Sequence, residues 1–292
     1  MICELCPRRC RAERGPEAGG GVCAAGTLPR VARAALHFWE EPCISGERGS
    51  GAVFFSGCNL RCVYCQNRPI SAENFGKIIT VARLREIYAE LIALGAENIN
   101  LVTPTHFEDA VLESLTPAPP VPVVWNCGGY ENTEALRRLE GKVQIYLPDL
   151  KYSRGDAAAR YSAAPDYPQR AKEAILEMFR QTGPFVLDGR GMMRRGVVIR
   201  HLVLPGNPDN TYGVIDWVAE NFRPGDVMFS LMSQFTPAGD LSGFPELARR
   251  LTAEEYDGAL RYLRRAGIGD GYVQELSSAR EEYTPPFDLT GV

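Results

Sequence analysis

The sequence predicts an α/β fold, namely a partial (β/α)6-type TIM barrel with a small Cys-rich N-terminal extension. Short apolar runs alternate with stretches of helical periodicity after residue 65. Six or seven such βα units can be counted, fewer than the eight of a closed barrel. Four cysteines lie before the first strand in a Gly/Arg-rich segment of weak periodicity. We therefore expect two parts, the extension over 1–45 and the barrel over 46–292.

A run of apolar, often β-branched or aromatic residues bounded by Gly or Pro predicts each strand. The run 98–103 (NINLVT) is halted by Pro104, and the run 122–127 (PVVWNC) ends at Gly128-Gly129. Because strands and helices alternate, the sheet should be parallel. The predicted strands, in chain order, are 52–55, 98–103, 122–127, 143–147, 197–204, 227–232 and 272–276.

Apolar residues at helical spacing predict the helices between these strands. The segment 80–94 (TVARLREIYAELIAL) has Thr80 as its predicted N-cap and Gly95 as its stop, and Gly267 closes the last helix in the same way. The predicted helices are 80–94, 132–139, 167–181, 211–221 and 252–266.

Composition narrows the class of protein. The chain has 292 residues, 45% of them hydrophobic, which is enough for one large domain. Its net charge of −4, with both signs interspersed, predicts no nucleic-acid partner. The N-terminus lacks an apolar signal region, and no stretch approaches the roughly 18 apolar residues of a membrane span. We therefore predict a cytoplasmic protein, in which nine cysteines favour metal binding or catalysis over disulfides.

The most informative pattern is a cysteine triad, Cys58, Cys62 and Cys65, directly after the first predicted strand. A cubic iron–sulfur cluster takes four ligands, so three thiolates leave one iron open to a second molecule. At the carboxyl end of a barrel strand, that iron would face the usual place for chemistry. The alternatives are a structural zinc loop or three buried cysteines, although zinc prefers four ligands in a closed site.

The run Cys58-x-x-x-Cys62-x-Tyr64-Cys65 resembles the radical S-adenosylmethionine (radical SAM) superfamily. The resemblance implies a [4Fe–4S] cluster on the triad, with SAM bound at the open iron and the aromatic Tyr64 beside the cofactors. It also implies reductive cleavage of SAM to a 5′-deoxyadenosyl radical, which abstracts hydrogen from a substrate. The protein would bind and orient the cofactors and exclude water.

Two further motifs resemble the pyruvate formate-lyase activating enzymes. Asp149-Leu150-Lys151 follows a strand and matches their D-L-K motif, which implies SAM and cation contacts for Asp149 and Lys151. Arg200 precedes Pro205-Gly206 as in their R-x-x-x-x-P-G arrangement, which implies a contact with SAM, and a guanidinium suits a carboxylate. The alternative for both motifs is a structural ion pair. His201 should face away from Arg200 as a packing or surface residue.

The resemblance is weaker elsewhere. Asn126 ends the third strand where those enzymes carry an aspartate, and Gln234 falls near their ribose-contacting histidine. The family's G-G-E-P motif is replaced by Thr103-Pro104-Thr105-His106, which offers hydroxyls to the SAM amino group but no anion. His106 either lines the pocket or is simply a loop histidine.

The resemblance covers nearly the whole chain and is strongest to uncharacterised homologues of activating enzymes. It implies a glycyl radical enzyme as partner and an electron donor such as flavodoxin or ferredoxin. One alternative is a radical SAM enzyme that modifies another protein side chain or a small molecule. A second alternative, of another class, is a non-catalytic Fe–S or zinc protein. The stretches that carry this resemblance include Glu40-Glu41-Pro42, 45–51, 55–58, 101–107 and 146–149.

Four more cysteines precede the triad and form a candidate second site. They can close a zinc site or an auxiliary [4Fe–4S] cluster, and the alternative is a redox-sensitive arm without metal. Cys43 and Cys127 have no partner spacing and are predicted to be small buried hydrophobes. We call the four the N-terminal cysteines: Cys3, Cys6, Cys10 and Cys23.

Overall fold

The computed structural model describes residues 2–276 and 285–292. Its strands are β1 (Arg30–His37), β2 (Ser50–Phe55), β3 (Lys77–Ile78), β4 (Ile99–Val102), β5 (Val123–Cys127), β6 (Ile145–Pro148), β7 (Val186–Leu187), β8 (Met193–Leu202), β9 (Met228–Met232) and β10 (Gly271–Val273). Its helices are α1 (Pro42–Ser45), α2 (Arg68–Ser71), α3 (Val81–Ala93), α4 (Glu108–Ser114), α5 (Thr133–Arg138), α6 (Gly155–Ser162), α7 (Tyr167–Thr182), α8 (Pro208–Asn221) and α9 (Ala253–Arg265). Two 3-10 turns cover Thr105–Phe107 and Pro245–Leu247.

The sheet is mostly parallel, as predicted. Strands β2, β4, β5, β6, β8, β9 and β10 pair in that order, each parallel to the next. β1 adds to β2 in antiparallel fashion and β3 pairs with β1 at the edge, while β7 pairs with β8. Across the described residues the path runs from β10 to β3 without closing. Neighbouring parallel strands that follow one another along the chain are typical of an open (β/α) barrel, and the predicted fold class is confirmed.

Two of the long helices begin at a threonine cap, of which Thr80 was predicted. The Thr80 hydroxyl accepts a hydrogen bond from the Arg83 amide at the start of α3, and Thr252 forms a capping box with Glu255 at the start of α9. Elements β1, α4 and α6 were not predicted, because their short apolar runs carry little periodicity. No helix in the described part of the chain is both long and apolar enough to cross a membrane.

The two faces of the sheet bury different side chains, because residues alternate along each strand. Trp125, Tyr146 and Ile199 belong to the large core that includes the long helices. The opposite face forms a second core, into which the β1–β2 connection inserts Cys43 and Ile44 of α1. The connection therefore enters the face that also carries the candidate site. The strand residues of this second core are Val124, Ile145, Leu147, Met193, Val198 and Met228.

The segment before residue 45 is joined to the sheet. β1 pairs with β2 over six positions, from Val31 opposite Phe55 to His37 opposite Ser50. The predicted division into an extension (1–45) and a barrel (46–292) stays a prediction.

Candidate functional site

The loop that carries the cysteine triad leaves the carboxyl end of β2. Gly57 has φ +90°, and a Cβ there would lie 2.8 Å from the Cys23 carbonyl oxygen and 3.0 Å from His106 Nε2. Only glycine fits so close an approach in this conformation. The buried His106 donates from Nε2 to the Ser56 carbonyl at 2.8 Å. Together these contacts stabilise the turn that directly precedes the triad.

Each triad sulfur accepts a hydrogen bond. The Leu60 amide donates to Cys58 Sγ at 3.4 Å, the Ser162 hydroxyl to Cys62 Sγ at 3.0 Å, and the Ser71 hydroxyl to Cys65 Sγ at 3.3 Å. Such bonds stabilise thiolates and tune the potential of a cluster bound by them.

The pKa values of two triad cysteines reflect burial. Burial, with a smaller contribution from the nearby Cys62, raises the pKa of Cys58 to about 12. Burial likewise raises the pKa of Cys65, again with a contribution from Cys62. These thiols therefore need a positive metal centre to become thiolates, and binding one would release protons.

Two triad residues, Cys62 and Cys65, line a cavity of about 290 Å³. Six of the eight predicted cofactor-binding residues line the same cavity: Tyr64, Asn126, Asp149, Lys151, Arg200 and Gln234. Apolar side chains from several elements complete it, namely Trp39, Phe54, Val102, Leu202 and Met232. The structure thus brings together residues spread over the chain. Their contacts with SAM stay a prediction.

The floor of the cavity is a buried network of charges. Arg200 Nε donates to Asp149 Oδ1 at 2.9 Å, and Lys151 Nζ donates to Asp149 Oδ2 at 2.5 Å. Burial would raise the pKa of Asp149, but Arg200 and Lys151 outweigh it and hold the pKa below its usual range. Burial would lower the pKa of Lys151, and the Asp149 carboxylate reverses this and raises it. The three groups therefore remain charged near neutral pH.

Glu40, to which sequence analysis assigned no role, is central to this network. Its Oε2 accepts from Arg200 Nη1 at 2.9 Å, and its Oε1 accepts from Asn126 Nδ2 at 2.9 Å and Asn100 Nδ2 at 3.1 Å. Arg200 Nη2 donates to Asn126 Oδ1 at 2.7 Å. The signal in the sequence was the stretch Glu40-Glu41-Pro42, which carries part of the family resemblance but had no assigned role.

Thr103 and Thr105 do not line the cavity. The backbone amide of Thr103, a residue with φ 59°, donates to the Asn126 carbonyl. The buried Thr105 hydroxyl donates to Glu131 Oε1 at 2.6 Å. The predicted hydrogen bonds from a SAM amino group to these hydroxyls stay a prediction, and in this arrangement the Thr105 hydroxyl already donates to Glu131.

The remaining single residues are structural. His201 is fully buried on the face opposite Arg200, where Nδ1 lies 2.7 Å from the Leu150 carbonyl oxygen and Nε2 lies 3.0 Å from Thr211 Oγ1. Cys43 and Cys127 are buried at 1% and 2% exposure, as small hydrophobes would be.

The N-terminal cysteines lie in a segment that folds against the triad loop. The Arg14 guanidinium donates to the carbonyls of Ala25 and His106, and one of its nitrogens lies 3.7 Å from Cys3 Sγ. In residues 2–276 and 285–292, no three His, Cys, Asp or Glu side chains are gathered closely enough to hold one metal ion. This applies to the N-terminal cysteines and to the triad alike.

Comparison with known proteins supports an iron–sulfur site. Residues 44–113, which include the whole triad, match a family model described as a 4Fe-4S single cluster domain. Over 276 residues the chain is 29% identical to the uncharacterised protein MJ0674 of Methanocaldococcus jannaschii, covering 91% of this chain and 75% of the relative. The match and the position of the triad after a parallel strand support a [4Fe–4S] cofactor.

Among solved structures, Streptococcus suis SuiB bound to S-adenosylmethionine aligns with a TM-score of 0.49 at 12% identity. The alignment covers 77% of this chain and 50% of SuiB. Methylornithine synthase (PylB) aligns with a TM-score of 0.48 at 14% identity, over 72% of this chain and 60% of that one. A domain of a pyruvate formate-lyase activating enzyme from Bacteroides vulgatus aligns with a TM-score of 0.41 at 11% identity. The alignment covers 59% of this chain and 91% of that domain.

The residues present suit both an iron–sulfur cluster and S-adenosylmethionine. The triad provides three thiols with hydrogen-bond donors on each sulfur, and the cavity beside it is polar at the floor and apolar at the walls. An amino-acid ligand with an attached nucleoside needs this combination of buried charges and apolar surface.

Proposed function

We propose that the chain is a radical SAM enzyme whose [4Fe–4S] cluster is held by Cys58, Cys62 and Cys65. The observation that carries the proposal is that Cys62 and Cys65 line the same cavity as Asp149, Lys151 and Arg200. A surface ion pair would not explain why these charges are buried beside thiols.

The cluster and SAM, when bound, supply one-electron cleavage of the sulfonium and hydrogen-atom abstraction from a substrate. The chain's own residues would bind and orient these two cofactors. Arg200 would contact the SAM carboxylate, for which it must share its guanidinium with Glu40 and Asp149. Gln234, whose backbone carbonyl accepts from the Gln66 side chain at 3.0 Å, would contact the ribose. The apolar walls would exclude water from a reactive species.

The test is anaerobic reconstitution with iron and sulfide, followed by measurement of iron content and of 5′-deoxyadenosine release from SAM. We expect each of Cys58→Ala, Cys62→Ala and Cys65→Ala to lose about four irons per chain and all SAM cleavage. Cys43→Ala, which removes a buried cysteine outside the triad, is the matched control and should retain both. Zinc in the wild-type triad, or cleavage that survives in the triad variants, would overturn the proposal.

We further propose that the hydrogen donor is a glycine of a partner enzyme. The D-L-K motif at Asp149–Lys151 and the R-x-x-x-x-P-G motif at Arg200 support this more specific function, since both resemble activating enzymes. Reduced protein would be mixed with SAM and a candidate glycyl radical enzyme, and electron paramagnetic resonance would detect the radical. Turnover of SAM with a small molecule and without any partner protein would instead support the alternative radical SAM function.

A further inference from the structure

Part of the cavity wall is built by the β1–β2 connection, which starts at the opposite end of the sheet from the triad. His37 at the end of β1 pairs with Ser50 at the start of β2, so the connection lies at the amino end of β2. The Asn98 side chain, directly before β4, donates to the Ile44 carbonyl of the connection at 2.7 Å and fixes it there. The triad follows the carboxyl end of β2. The length of β2 therefore separates the base of the connection from the triad.

The connection places Glu41 in the wall of the cavity, together with Glu40 and Pro42. Glu41 is 8% exposed, and its Oε2 is buried with no hydrogen-bond partner among the residues that the structure describes. Its side chain makes no capping bond to α1, because the amides of Ile44 and Ser45 bind the Glu41 backbone carbonyl instead. The start of α1 thus requires the backbone of this residue and not its carboxylate.

The charge of Glu41 is in excess over the charges that pair inside the cavity. Arg200 binds both Glu40 and Asp149, and Lys151 binds Asp149, so two carboxylates face two cations in this network. Glu41 is a third carboxylate on the described part of the cavity lining, and it forms no ion pair with a described residue. The described lining therefore carries one negative charge more than its positive charges balance when all these groups are ionised.

Burial makes this extra carboxylate unfavourable in the empty cavity. It raises the pKa of Glu41, and Arg200 and the Ser230 hydroxyl offset this effect only in part. Burial also lowers the pKa of His37, which lines the same cavity, to about 4, so its imidazole is uncharged near neutral pH and supplies no counter-charge. A cation that entered the cavity would remove the penalty of the buried carboxylate.

The rest of the lining also suits a cation. The aromatic side chains of Trp39, Phe54 and Tyr272 line the cavity, and Trp39 lies two positions before Glu41 in the same connection. The faces of aromatic rings attract cations, and a carboxylate forms charge-assisted hydrogen bonds to ammonium and guanidinium groups. A buried carboxylate in a cavity with aromatic walls therefore favours a ligand with an organic cation.

We propose that the substrate carries a positively charged group, an ammonium or a guanidinium, which Glu41 binds. The inference rests on the proposed function, in which SAM lies beside the triad and leaves the wall built by the connection to the substrate. Glu41 is then a specificity-determining residue, and the reacting carbon of the substrate faces the triad. The cation belongs either to a small amine or to a lysine or arginine side chain of a protein substrate.

Binding of matched probes tests this assignment. Butylammonium, which has the length of a lysine side chain, and the peptide acetyl-Gly-Lys-Gly-amide would each be titrated calorimetrically into reconstituted protein saturated with SAM. Their uncharged counterparts are 1-butanol and acetyl-Gly-norleucine-Gly-amide. We expect a charged probe to bind wild type about tenfold more tightly than its counterpart, and this preference to disappear in Glu41→Gln. A preference confined to butylammonium would indicate a small amine, and one confined to the peptide would indicate a protein side chain.

Glu47→Gln is the matched control, because Glu47 belongs to the same connection but is exposed. This variant should keep the full preference for the charged probe. Equal binding of charged and uncharged probes to wild type would overturn the proposal, and so would a preference that survives in Glu41→Gln. Weaker SAM binding in Glu41→Gln, with the preference for charged probes intact, would also overturn it and assign the carboxylate to SAM.

Thermal unfolding without probes separates ligand binding from a structural role. Since Glu41 has no counter-charge in the empty cavity, Glu41→Gln should unfold at the same temperature as wild type or at a higher one. Glu40→Gln breaks a buried pair with Arg200 and should unfold at a lower temperature. A decrease in Glu41→Gln as large as in Glu40→Gln would show that the carboxylate is structural and would overturn the proposal. Failure of the proposed function would appear separately, as absence of iron or of SAM cleavage in wild-type protein.

Discussion

Arg200 on β8 donates from Nη1 to Glu40 Oε2 at 2.9 Å, which joins the sheet to the β1–α1 connection across 160 positions of sequence. Their side chains are 14% and 9% exposed, so the pair is largely desolvated. Because Asp149 contacts the same guanidinium, Arg200 is balanced by two carboxylates. A ligand carboxylate that binds Arg200 must therefore compete with carboxylates that are already in place.

Loss of the Glu40 charge should destabilise the fold. Glu40→Gln leaves Arg200 buried with one carboxylate fewer, and breaking a buried pair in this way should cost about 3 kcal/mol of unfolding free energy. Urea denaturation of the metal-free protein would measure it.

The matched control is Glu86→Gln, whose carboxylate is 64% exposed and contacts Arg83 one helical turn away. That surface pair should contribute less than about 1 kcal/mol. Equal effects of the two substitutions would contradict a structural role for the buried pair.

Arg200→Lys should weaken SAM binding by roughly tenfold, because an ammonium cannot reproduce the planar fork of the guanidinium. Equilibrium binding of labelled SAM to the reconstituted protein would measure this. Arg195→Lys, at an exposed position on the same strand, is the control and should bind as wild type does. Unchanged affinity in Arg200→Lys would mean that SAM does not contact this residue.

Ser162→Ala should lower the reduction potential of the triad cluster and leave its iron content unchanged. The hydroxyl donates to Cys62 Sγ at 3.0 Å, and a hydrogen bond to a ligand sulfur favours the reduced, more negative cluster. A redox titration followed by paramagnetic resonance would show the shift. Ser153→Ala, which removes a hydroxyl bonded to Asn210 instead, should leave the potential where it was.

Stability should fall as the pH is lowered from about 6.5 to about 4, with part of the loss due to His201. Burial lowers the pKa of His201 to about 4, whereas an unfolded histidine titrates near 6.5. In this window the unfolded chain binds more protons, so acid favours unfolding by about 3 kcal/mol per such residue.

Burial also lowers the pKa of His37 and His106 to about 4, so all three histidines should contribute to this slope. His201→Gln should therefore reduce the histidine contribution to the pH dependence by about one third. Denaturation at several pH values would measure it. A slope identical to that of wild type would show that His201 is charged in the folded state.

The parallel sheet and the long helices could be predicted because each long element carries its own periodic signal. The helix predicted over 80–94 is α3, and its stop at Gly95 follows from a local conformation, φ +93°. β1, α4 and α6 could not be predicted, since their sequences carry no clear periodicity and they are stabilised by what they pack against. His201 was placed correctly opposite Arg200 because alternation along a strand is a local rule.

The sequence by itself determined which residues can carry the chemistry: three cysteines at close spacing, and Asp149, Lys151 and Arg200 at the ends of strands. The residue types of candidate ligands and their spacing in sequence are local properties, so the sequence alone shows them. Only the tertiary structure decided that Glu40 balances Arg200, that Thr105 is bound to Glu131, and that the backbone of Cys23 lies against Gly57, the residue before Cys58. Those contacts join segments far apart in sequence, and burial sets their strength, which no local pattern encodes.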